Sequence, residues 1–591
     1  MKISIEKICF LFIFVLAGIT SGKAQRIYAS ELSAVQQSDT SWVIRYTLNA
    51  TATRVAVILN QGAITLPFTS PESLQKGCDS VVITANQVNQ SGSFTWSVQA
   101  TGAAVEGSTS WVKFTNENQN PLLNYYAAFG MAADNSFESP YFGRIYVGAM
   151  YGTGPRSTTF STYTTAPGVY VLNAALDDAT AQADKPYAGG ISWVKSANSP
   201  QNIAIDAGGK VYLNDPSTNT GVFIMNPANP DANFTHVFGG ANTYGVLQNT
   251  STGDYISGTA QSMCVSGAAD STILYVIDER LGTGPANGML GLSVGYNGVY
   301  YNLGSASLPW VANPTGAFFN NAAACTQYGG YMGMVLYSVA SNPTNGTSLA
   351  IDGRGGIFIS QDRSTTGDNL SVPSILHATP SKNSTGTYHL DYNSGDPANN
   401  GNGTVKGSYD GIIAVSRDGS LLAVCNSASP IVYKVFNVTY NADNAPALVL
   451  ASSFTSASGT PHSMTFDAAG NLYVMTTAST LQGFAPVTAE NTFTTPASLS
   501  QPLLNFVATG IKTPKLTSSQ LQVFPNPVED VVCIKCAVEI ISVKLVDLTG
   551  RTMMNIPASR QLTATDVNLS GVPAGNYILL VNNTPVKIEK K

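Results

Sequence analysis

Apolar and polar residues alternate in short runs along most of this chain, and turns rich in Gly, Asn and Ser separate the runs. The clearest case is Pro461-His-Ser-Met-Thr-Phe-Asp-Ala-Ala-Gly-Asn-Leu-Tyr-Val474. One alternating run reaches an Asp, a Gly turn follows, and a second run leaves through Leu-Tyr-Val. Alternation with a period of two is typical of half-buried strands, so this stretch predicts an antiparallel β-hairpin.

The same hairpin pattern recurs through the middle of the chain. Close copies occupy 200–213, 348–359 and 412–424, and looser copies occupy 131–147 and 262–277. A hairpin repeated along one chain predicts a repeat architecture. Further strand-like runs bring each repeat to four strands, which predicts a radially closed β-propeller. The count is six blades, and a seventh is possible if residues 300–346 contain another.

The flanking segments predict further domains in an all-β chain. Residues 26–118 contain strand-like runs at the spacing of a small β-sandwich, ahead of a propeller at 121–512. Residues 517–591 predict a second small β-sandwich after a short polar linker. Residues 1–24 combine lysines, a short apolar run and a small-residue cleavage site, as a secretory signal peptide does.

Composition narrows the class of protein. Charged residues make up 11% of the 591 positions, well below the ~25% of ordinary soluble domains. A net charge of −6 gives no basic surface for nucleic acid. The cysteines after the signal peptide are too sparse for a disulfide framework. Cys533 and Cys536 fall in one strand-like run, where residues three apart point to opposite faces, so they are not expected to bind zinc.

Candidate ligand-binding residues come from aligning the repeats on their turn residue. The position five residues earlier begins the innermost strand of each blade, near one mouth of the central channel. These positions hold Gln201, Gln261, Thr347, Gly411 with Asp410 beside it, and His462. Such a ring of polar side chains would bind a sugar, help to hold a metal, or be filled by ordered water. The sequence carries no metalloprotease, hydrolase-elbow or phosphate-loop motif, so no catalytic residue is assigned.

A second candidate is the long segment after Trp310, where Tyr328 and Tyr331 lie among other aromatic residues and amides. Exposed aromatics beside amides bind sugars and proteins at little entropic cost. Alternatively, these aromatics form the core of an irregular blade. Residues 391–402 offer oxygen ligands at calcium-like spacing but lack the Glu of an EF-hand loop, and Asx-rich turns need no metal. No cofactor is assigned, and calcium bound by this stretch remains an alternative.

Three parts of the chain resemble known families: the sandwich, the propeller and the C-terminal domain. The order of strands and turns over 54–100 resembles the immunoglobulin-like domain of flagellar-hook capping proteins. The repeated hairpin resembles the NHL and gluconolactonase-like propellers, and the combination of sandwich and propeller resembles surface proteins of the Bacteroidetes. In gluconolactonase-like propellers a Glu, Asn and Asp set holds a metal near the channel mouth. This chain departs from that set at every aligned position, so the resemblance does not carry the lactonase reaction over.

The C-terminal residues carry the most specific resemblance. Val523-Phe-Pro-Asn-Pro-Val-Glu-Asp530, then Thr549-Gly-Arg551, then Pro573-Ala-Gly-Asn-Tyr577 resemble the type A sorting domain of the type IX secretion system. The matching motif positions are Pro525, Asn526, Pro527, Gly550, Arg551, Gly575 and Tyr577. The resemblance implies signal-peptide export to the periplasm, recognition by the type IX machinery and passage through the outer membrane. It also implies removal of this domain and attachment to the outer surface through an anionic lipopolysaccharide.

Three functions remain open on the sequence. The first is a surface binding or adhesion protein whose propeller presents loops to a glycan or protein. The second is a propeller enzyme, a hydrolase or lyase for a sugar or lactone, with its site at the central channel. The third is a structural component of the surface layer. We expect the first, because of the sorting motifs, the aromatic segment and the lack of recognised catalytic motifs.

Overall fold

A computed structural model of the chain gives the fold. The residues that it describes are 25–150, 154–157, 162–165, 167–180, 191–192, 200–215, 221–227, 235–238, 260–268, 272–278, 288–294, 300–302, 346–361, 375–380, 388–393, 412–425, 430–455, 459–506, 521–537, 539–540, 542–548, 550–557, 562–582 and 584–591. Two compact units emerge, one comprising residues 25–83 and 93–505 and the other residues 84–92 and 506–591.

Six four-stranded antiparallel sheets form the centre of the first unit. Blade 1 holds Ala128–Ala133, Ile145–Ala149, Gly168–Leu172 and Ile191–Ser192; blade 2 holds Ile203–Ile205, Val211–Asp215, Gly221–Met225 and Thr235–Phe238. Blade 3 holds Ala260–Ser266, Ile273–Asp278, Gly288–Val294 and Tyr300–Asn302; blade 4 holds Gly346–Ile351, Ile357–Gln361, Ile375–Pro380 and Tyr388–Asn393. Blade 5 holds Ile413–Val415, Leu421–Cys425, Val432–Tyr440 and Pro446–Thr455; blade 6 holds Pro461–Phe466, Leu472–Thr476, Leu481–Pro486 and Trp111–Lys113. A separate hairpin pairs Gly154–Ser157 with Thr162–Thr165.

The first strands of the six blades contact one another in a closed ring, from blade 1 through blade 6 and back to blade 1. These are therefore the innermost strands of a β-propeller, as the repeat pattern predicts. Blade 3 contacts blade 4 directly, which decides the count in favour of six. Neighbouring innermost strands approach closely: a Cβ on Gly130 of blade 1 would lie 2.3 Å from the carbonyl oxygen of Gln201 of blade 2.

The space between blades is filled by the aromatic residue of the second strand. Tyr146, Tyr212, Tyr275 and Tyr473 occupy this position and are almost fully buried. This explains the repeated apolar-Tyr-Val pattern, because a large flat ring there covers the face of the neighbouring sheet. The alternation of the sequence thus places one apolar face of each strand between blades.

A β-sandwich packs against the propeller within the same unit. Its three-stranded sheet contains Ala29–Ser38, Ser41–Leu48 and Gly77–Thr84, and its four-stranded sheet contains Ile64–Phe68, Arg54–Leu59, Trp96–Thr101 and Thr492–Pro496. Short strands run over Gly92–Phe94 and Leu504–Phe506, and short 3-10 turns over Asn60–Gly62, Pro71–Ser73 and Pro121–Leu123. The α-helical turn over Ala85–Val88 belongs to the second unit. Trp42 and Trp96 are buried in the sandwich.

Two strands depart from the contiguous ranges that the sequence suggests. Trp111–Lys113, within the range 26–118, pairs with Leu481–Pro486 and forms the outermost strand of blade 6. Thr492–Pro496, within the range 121–512, pairs with Trp96–Thr101 and completes the sandwich. The propeller is therefore nested inside the sandwich, because each domain takes one strand from beyond its predicted boundary.

The second unit includes a small sandwich over 521–591. Its three-stranded sheet contains Leu521–Phe524, Val531–Cys536 and Ala564–Asn568, and its four-stranded sheet contains Thr552–Pro557, Ser542–Asp547, Gly575–Val581 and Thr584–Lys590. Fully buried aliphatic residues such as Val532, Leu545 and Leu579 form its core. Cys536 is buried and Cys533 is partly exposed, so the two lie on opposite faces of their strand, as predicted.

Candidate functional site

Where a blade carries an aspartate at the turn of the repeated hairpin, its carboxylate has a structural role. Oδ1 of Asp206 accepts the backbone N–H groups of Gly208 and Lys210, both at 2.9 Å. Asp352 accepts Arg354 at 2.7 Å and Gly356 at 2.8 Å in the same way. A buried carboxylate that caps the N–H groups of its own turn fixes the reversal between two strands. The repeat pattern therefore marks a folding requirement and not a ring of ligands.

The innermost strands surround a central cavity of about 190 Å³. Its lining at the middle of the strands is small and uncharged, namely Ala132, Ala204, Cys264, Ala350, Ala414 and Thr465. Burial raises the pKa of the Cys264 thiol well above its usual range. The thiol therefore stays protonated at neutral pH and is a weak nucleophile.

The predicted ring of polar residues lies at the mouth where the innermost strands begin, which we call the channel entrance. Gln261, Thr347 and His462 lie in the first half of their strands, and Gln201 lies two residues before Ile203–Ile205. Oε1 of Gln201 and Nδ1 of His462 are buried atoms without a hydrogen-bond partner. Desolvation lowers the pKa of His462, so its imidazole is neutral at physiological pH. The entrance thus offers neutral hydrogen-bonding groups from blades 2 and 6.

Phe129 belongs to this entrance and is missing from the sequence prediction. It occupies blade 1, between the blades that carry Gln201 and His462, and its ring centre lies 3.7 Å from the His462 imidazole. Counting five residues back from Asp134, the turn aspartate of blade 1, would have found it. An aromatic face beside an amide and an imidazole adds apolar contact area to the hydrogen-bonding groups.

Several predicted residues lie outside the described residues. These are Asp410, Trp310, Tyr328, Tyr331 and the signal peptide at 1–24. The backbones of Gln261 and Thr347 are placed in their strands. The predicted roles of all these residues remain predictions.

A buried network in blade 4 involves the first residue of the Asx-rich stretch. Nε2 of His377 lies 3.0 Å from Asp352 Oδ2, and Nδ1 lies 2.7 Å from Asp391 Oδ1. Thr379 donates its hydroxyl to the other oxygen of Asp391. Burial opposes protonation of His377, but the two carboxylates outweigh it and raise its pKa. Asp391 is thus engaged within its blade, while residues 394–402 lie outside the described residues.

Within the described ranges, no three His, Cys, Asp or Glu side chains are grouped so that they could hold a metal ion. The orphan atoms of the entrance are one amide oxygen and one imidazole nitrogen, a set that suits hydrogen bonding to a neutral ligand.

The sorting-motif residues hold the turns and one edge of the small sandwich. Asn526, between Pro525 and Pro527, donates to the carbonyl oxygen of Lys587 and accepts the Glu589 N–H, both at 2.9 Å. The turn at Gly550 and Arg551 is closed by Asp547, whose Oδ1 accepts the Arg551 N–H at 2.9 Å. Gly550 has a φ of 85°, a conformation in which glycine carries no steric penalty.

Tyr577 follows Gly575 in the strand Gly575–Val581 and is buried in the core of the small sandwich. Its hydroxyl donates to the Pro573 carbonyl oxygen at 2.8 Å, which ties the preceding turn to this strand. The motif residues therefore specify the turns and edges of this fold.

Comparison with known proteins identifies this last domain. Residues 522–591 match the family described as secretion system C-terminal sorting domain, the sorting domain of type IX secretion. The chain is therefore a type IX secretion substrate, directed to the cell surface or the extracellular space. No helix in the described residues is long and apolar enough to cross a membrane. No curated protein matches the chain.

Three solved structures that are similar to this chain are distant from it in sequence. A gluconolactonase from Xanthomonas campestris is 11% identical and covers 66% of this chain and 90% of its own, with a TM-score of 0.32. PorZ, an essential surface component of the type-IX secretion system of Porphyromonas gingivalis, is 13% identical over 94% of this chain and 69% of its own, with a TM-score of 0.28. Regucalcin, a calcium-binding protein from Agrobacterium tumefaciens, is 11% identical and covers 65% of this chain and 95% of its own, with a TM-score of 0.30. The assignment of the propeller rests on the strand order within its sheets.

Proposed function

We propose that this protein is a cell-surface binding protein whose propeller binds a glycan at the channel entrance. The observation that carries the proposal is the pair of orphan polar atoms, Gln201 Oε1 and His462 Nδ1, on the two blades that flank Phe129. A buried polar atom without a partner costs roughly 1–3 kcal/mol. Rotation of the Gln201 or His462 side chain toward the channel would let a ligand hydroxyl satisfy that atom. Neutral groups beside an aromatic ring suit a neutral sugar better than an ion.

The sorting domain supports the location that this function requires. We propose that the mature protein is held on the outer surface through an anionic lipopolysaccharide after the sorting domain is removed. Fractionation of cells should then find the protein with the outer membrane, at a mass lacking residues 517–591. Recovery of the protein only from the culture medium would contradict surface attachment.

Glycan binding at the entrance is tested with residues 25–591 on an array of neutral and acidic glycans. We expect saturable binding to neutral glycans, and a loss of affinity of about tenfold or more in Gln201→Ala and in His462→Ala. Gln522→Ala, which removes an exposed glutamine from the sorting domain, is the matched control and should bind as the unmodified chain does. Absence of saturable binding, or unchanged binding in both entrance variants, would refute the proposal.

A further inference from the structure

A larger cavity, which we call the basin, lies at the opposite mouth of the channel, where the innermost strands end in their turns. Its volume is about 670 Å³, within the ~300–1,000 Å³ of typical small-molecule sites. Turn residues of blades 1 to 5 line it, among them Asn135, Ala207, Gly267, Gly353 and Arg417. It uses none of the entrance residues invoked above, so it is a separate candidate site.

The turns around the basin differ in the two residues that follow the turn residue. These pairs are Asn135-Ser136, Ala207-Gly208, Gly267-Ala268, Gly353-Arg354, Arg417-Asp418 and Ala468-Ala469. In the turns of Asp206 and Asp352, Oδ1 of the capping carboxylate accepts backbone N–H groups, which residues of any side chain can supply. Polar side chains at both positions occur in blades 1 and 5, and the fold does not demand them.

Arg417 of blade 5 reaches across this mouth to blade 1. Its Nε donates to the Asn135 carbonyl oxygen at 2.8 Å, and its guanidinium carbon lies 3.6 Å from the centre of the Phe137 ring. No hydrogen bond or ion pair involves its Nη atoms among the described residues. A guanidinium fixed in this way loses little further freedom on binding, and its Nη edge remains available for a ligand.

Hydrogen-bond acceptors lie close to this guanidinium. Oδ1 of Asn135 is buried without a partner, while its Nδ2 donates to the Phe466 carbonyl oxygen at 2.6 Å. Asp418 is exposed, and its Oδ1 accepts the Ser416 hydroxyl at 2.6 Å and the Ser420 hydroxyl at 2.7 Å. Its Oδ2 carries no hydrogen bond within the part of the chain that the structure describes.

The charges around the basin select against anions. Arg417 is accompanied by Asp418 and by the wall carboxyl groups of Asp134, Asp206 and Asp352. An anion attracted by the guanidinium would be repelled by these carboxylates, whereas a neutral ligand with donors and acceptors would not.

We propose that the basin binds a neutral sugar that carries an acetamido group. The acetamido carbonyl accepts from the Nη atoms of Arg417, its N–H donates to Asn135 Oδ1, and a ring hydroxyl donates to Asp418. A pyranose ring is rigid before binding, so it loses less conformational entropy than a peptide that offers the same amide. This site extends the binding function to a second mouth of the propeller.

The test uses residues 25–591 titrated calorimetrically with N-acetylglucosamine and with glucose, which differ only in the acetamido group. We expect N-acetylglucosamine to bind at least tenfold more tightly. Arg417→Ala should weaken that binding tenfold or more, and Arg417→Lys should weaken it as well because the fork of donors is lost. Arg354→Ala is the matched control, since Arg354 stacks on Tyr440 and donates to Asn444, outside the basin.

Each outcome decides the question. Equal affinity for the two sugars, no binding, or unchanged binding in Arg417→Lys with an unaltered melting temperature would overturn the proposal. Tighter binding of N-acetylglycine methylamide than of N-acetylglucosamine would overturn it in favour of a peptide. Sugar binding that is lost in Gln201→Ala but retained in Arg417→Ala would refute the basin while leaving the channel entrance as the site. The reverse result would support the basin and count against the entrance.

Discussion

Asp467 shows how a single turn residue couples stability to pH. It is fully buried in blade 6, where Oδ1 accepts the Ala469 and Asn471 N–H groups and Oδ2 accepts the Asn471 side-chain amide at 2.7 Å. Burial raises its pKa to about 7, against the opposing effect of these hydrogen bonds. Asp134 of blade 1 is raised to about 7 for the same reason.

A folded-state pKa above the unfolded value means that the folded protein binds the extra proton between pH 4 and 7. Protonation of the buried carboxyl therefore stabilises the folded protein at the lower pH. This contribution to the free energy of unfolding is lost as the pH rises through about 7, and it amounts to up to about 4 kcal/mol for a pKa shift of this size. The raised pKa of His377 acts in the same direction.

We expect the melting temperature to fall from pH 5 to pH 8, and to fall less in Asp467→Asn. Asp39→Asn, at an exposed position, should keep the original slope, and equal slopes in all three proteins would contradict this account.

At the same scale, the structure places Gln201 just before and His462 within the innermost strand of its blade, and the sequence alignment omits Phe129. The ligand-binding role of Gln201 and His462 stays a prediction. In blade 6 the Asp467 turn is short, with Tyr473 six residues after the aspartate, and alignment is direct. In blade 1 a longer connection separates Asp134 from Tyr146, so the same alignment fails. The connection includes Phe142, whose ring packs against Tyr28 of the sandwich at 5.9 Å. The longer connection, which contacts the sandwich, thus makes the repeat in blade 1 harder to recognise in the sequence.

Among the elements, the strand Trp111–Lys113 is the least predictable. Three residues give no alternation to detect, and their partner strand begins more than 350 residues later. A pairing between strands so far apart in the chain produces no pattern in the sequence around either strand. Once the strand has formed, Trp111 is buried, and its ring stacks on that of Phe454 with the ring centres 5.6 Å apart. The indole N–H of Trp111 donates to the Ser452 hydroxyl at 2.8 Å.

Trp111→Ala should therefore cost stability beyond the loss of one side chain. Removal of a buried tryptophan costs about 3–5 kcal/mol, and here it also weakens the strand that closes blade 6. We expect a lower midpoint of denaturant unfolding, measured by circular dichroism. Val449→Ala, on the exposed outermost strand of blade 5, should change the midpoint little. Similar midpoints for both variants would show that this strand contributes little to closure.

At the scale of the whole molecule, the repeat pattern predicts the propeller and its innermost strands, and leaves the count open between six and seven blades. The contiguous domain ranges differ from the structure because hydrogen bonds between strands distant in sequence decide which sheet a strand joins. Composition and alternation predict which residues form a strand, but they do not predict which sheet that strand joins.

Two fragments of the chain test whether the propeller needs the strand Trp111–Lys113, which lies before its predicted range. Residues 107–490 contain all six blades with their outermost strand, and we expect this fragment to be monomeric and to unfold cooperatively. Residues 121–512 lack Trp111–Lys113 and leave the edge of blade 6 unpaired, so we expect self-association, because an unpaired edge strand pairs with other chains. Size-exclusion chromatography distinguishes the two. A monomeric 121–512 fragment with the same unfolding midpoint would contradict the expected role of the strand.

The return of Thr492–Pro496 to the sandwich has a mechanical consequence. A pull applied to the chain beyond residue 506 reaches this strand before it reaches any blade. The segment that follows the strand is pinned as well, because the indoles of Trp96 and Trp42 donate to the carbonyl oxygens of Pro502 and Asn505. Tension must shear the strand from Trp96–Thr101 before it can unravel blade 6. The sandwich therefore serves as a mechanical stop, and the propeller can stay folded while the chain is under load.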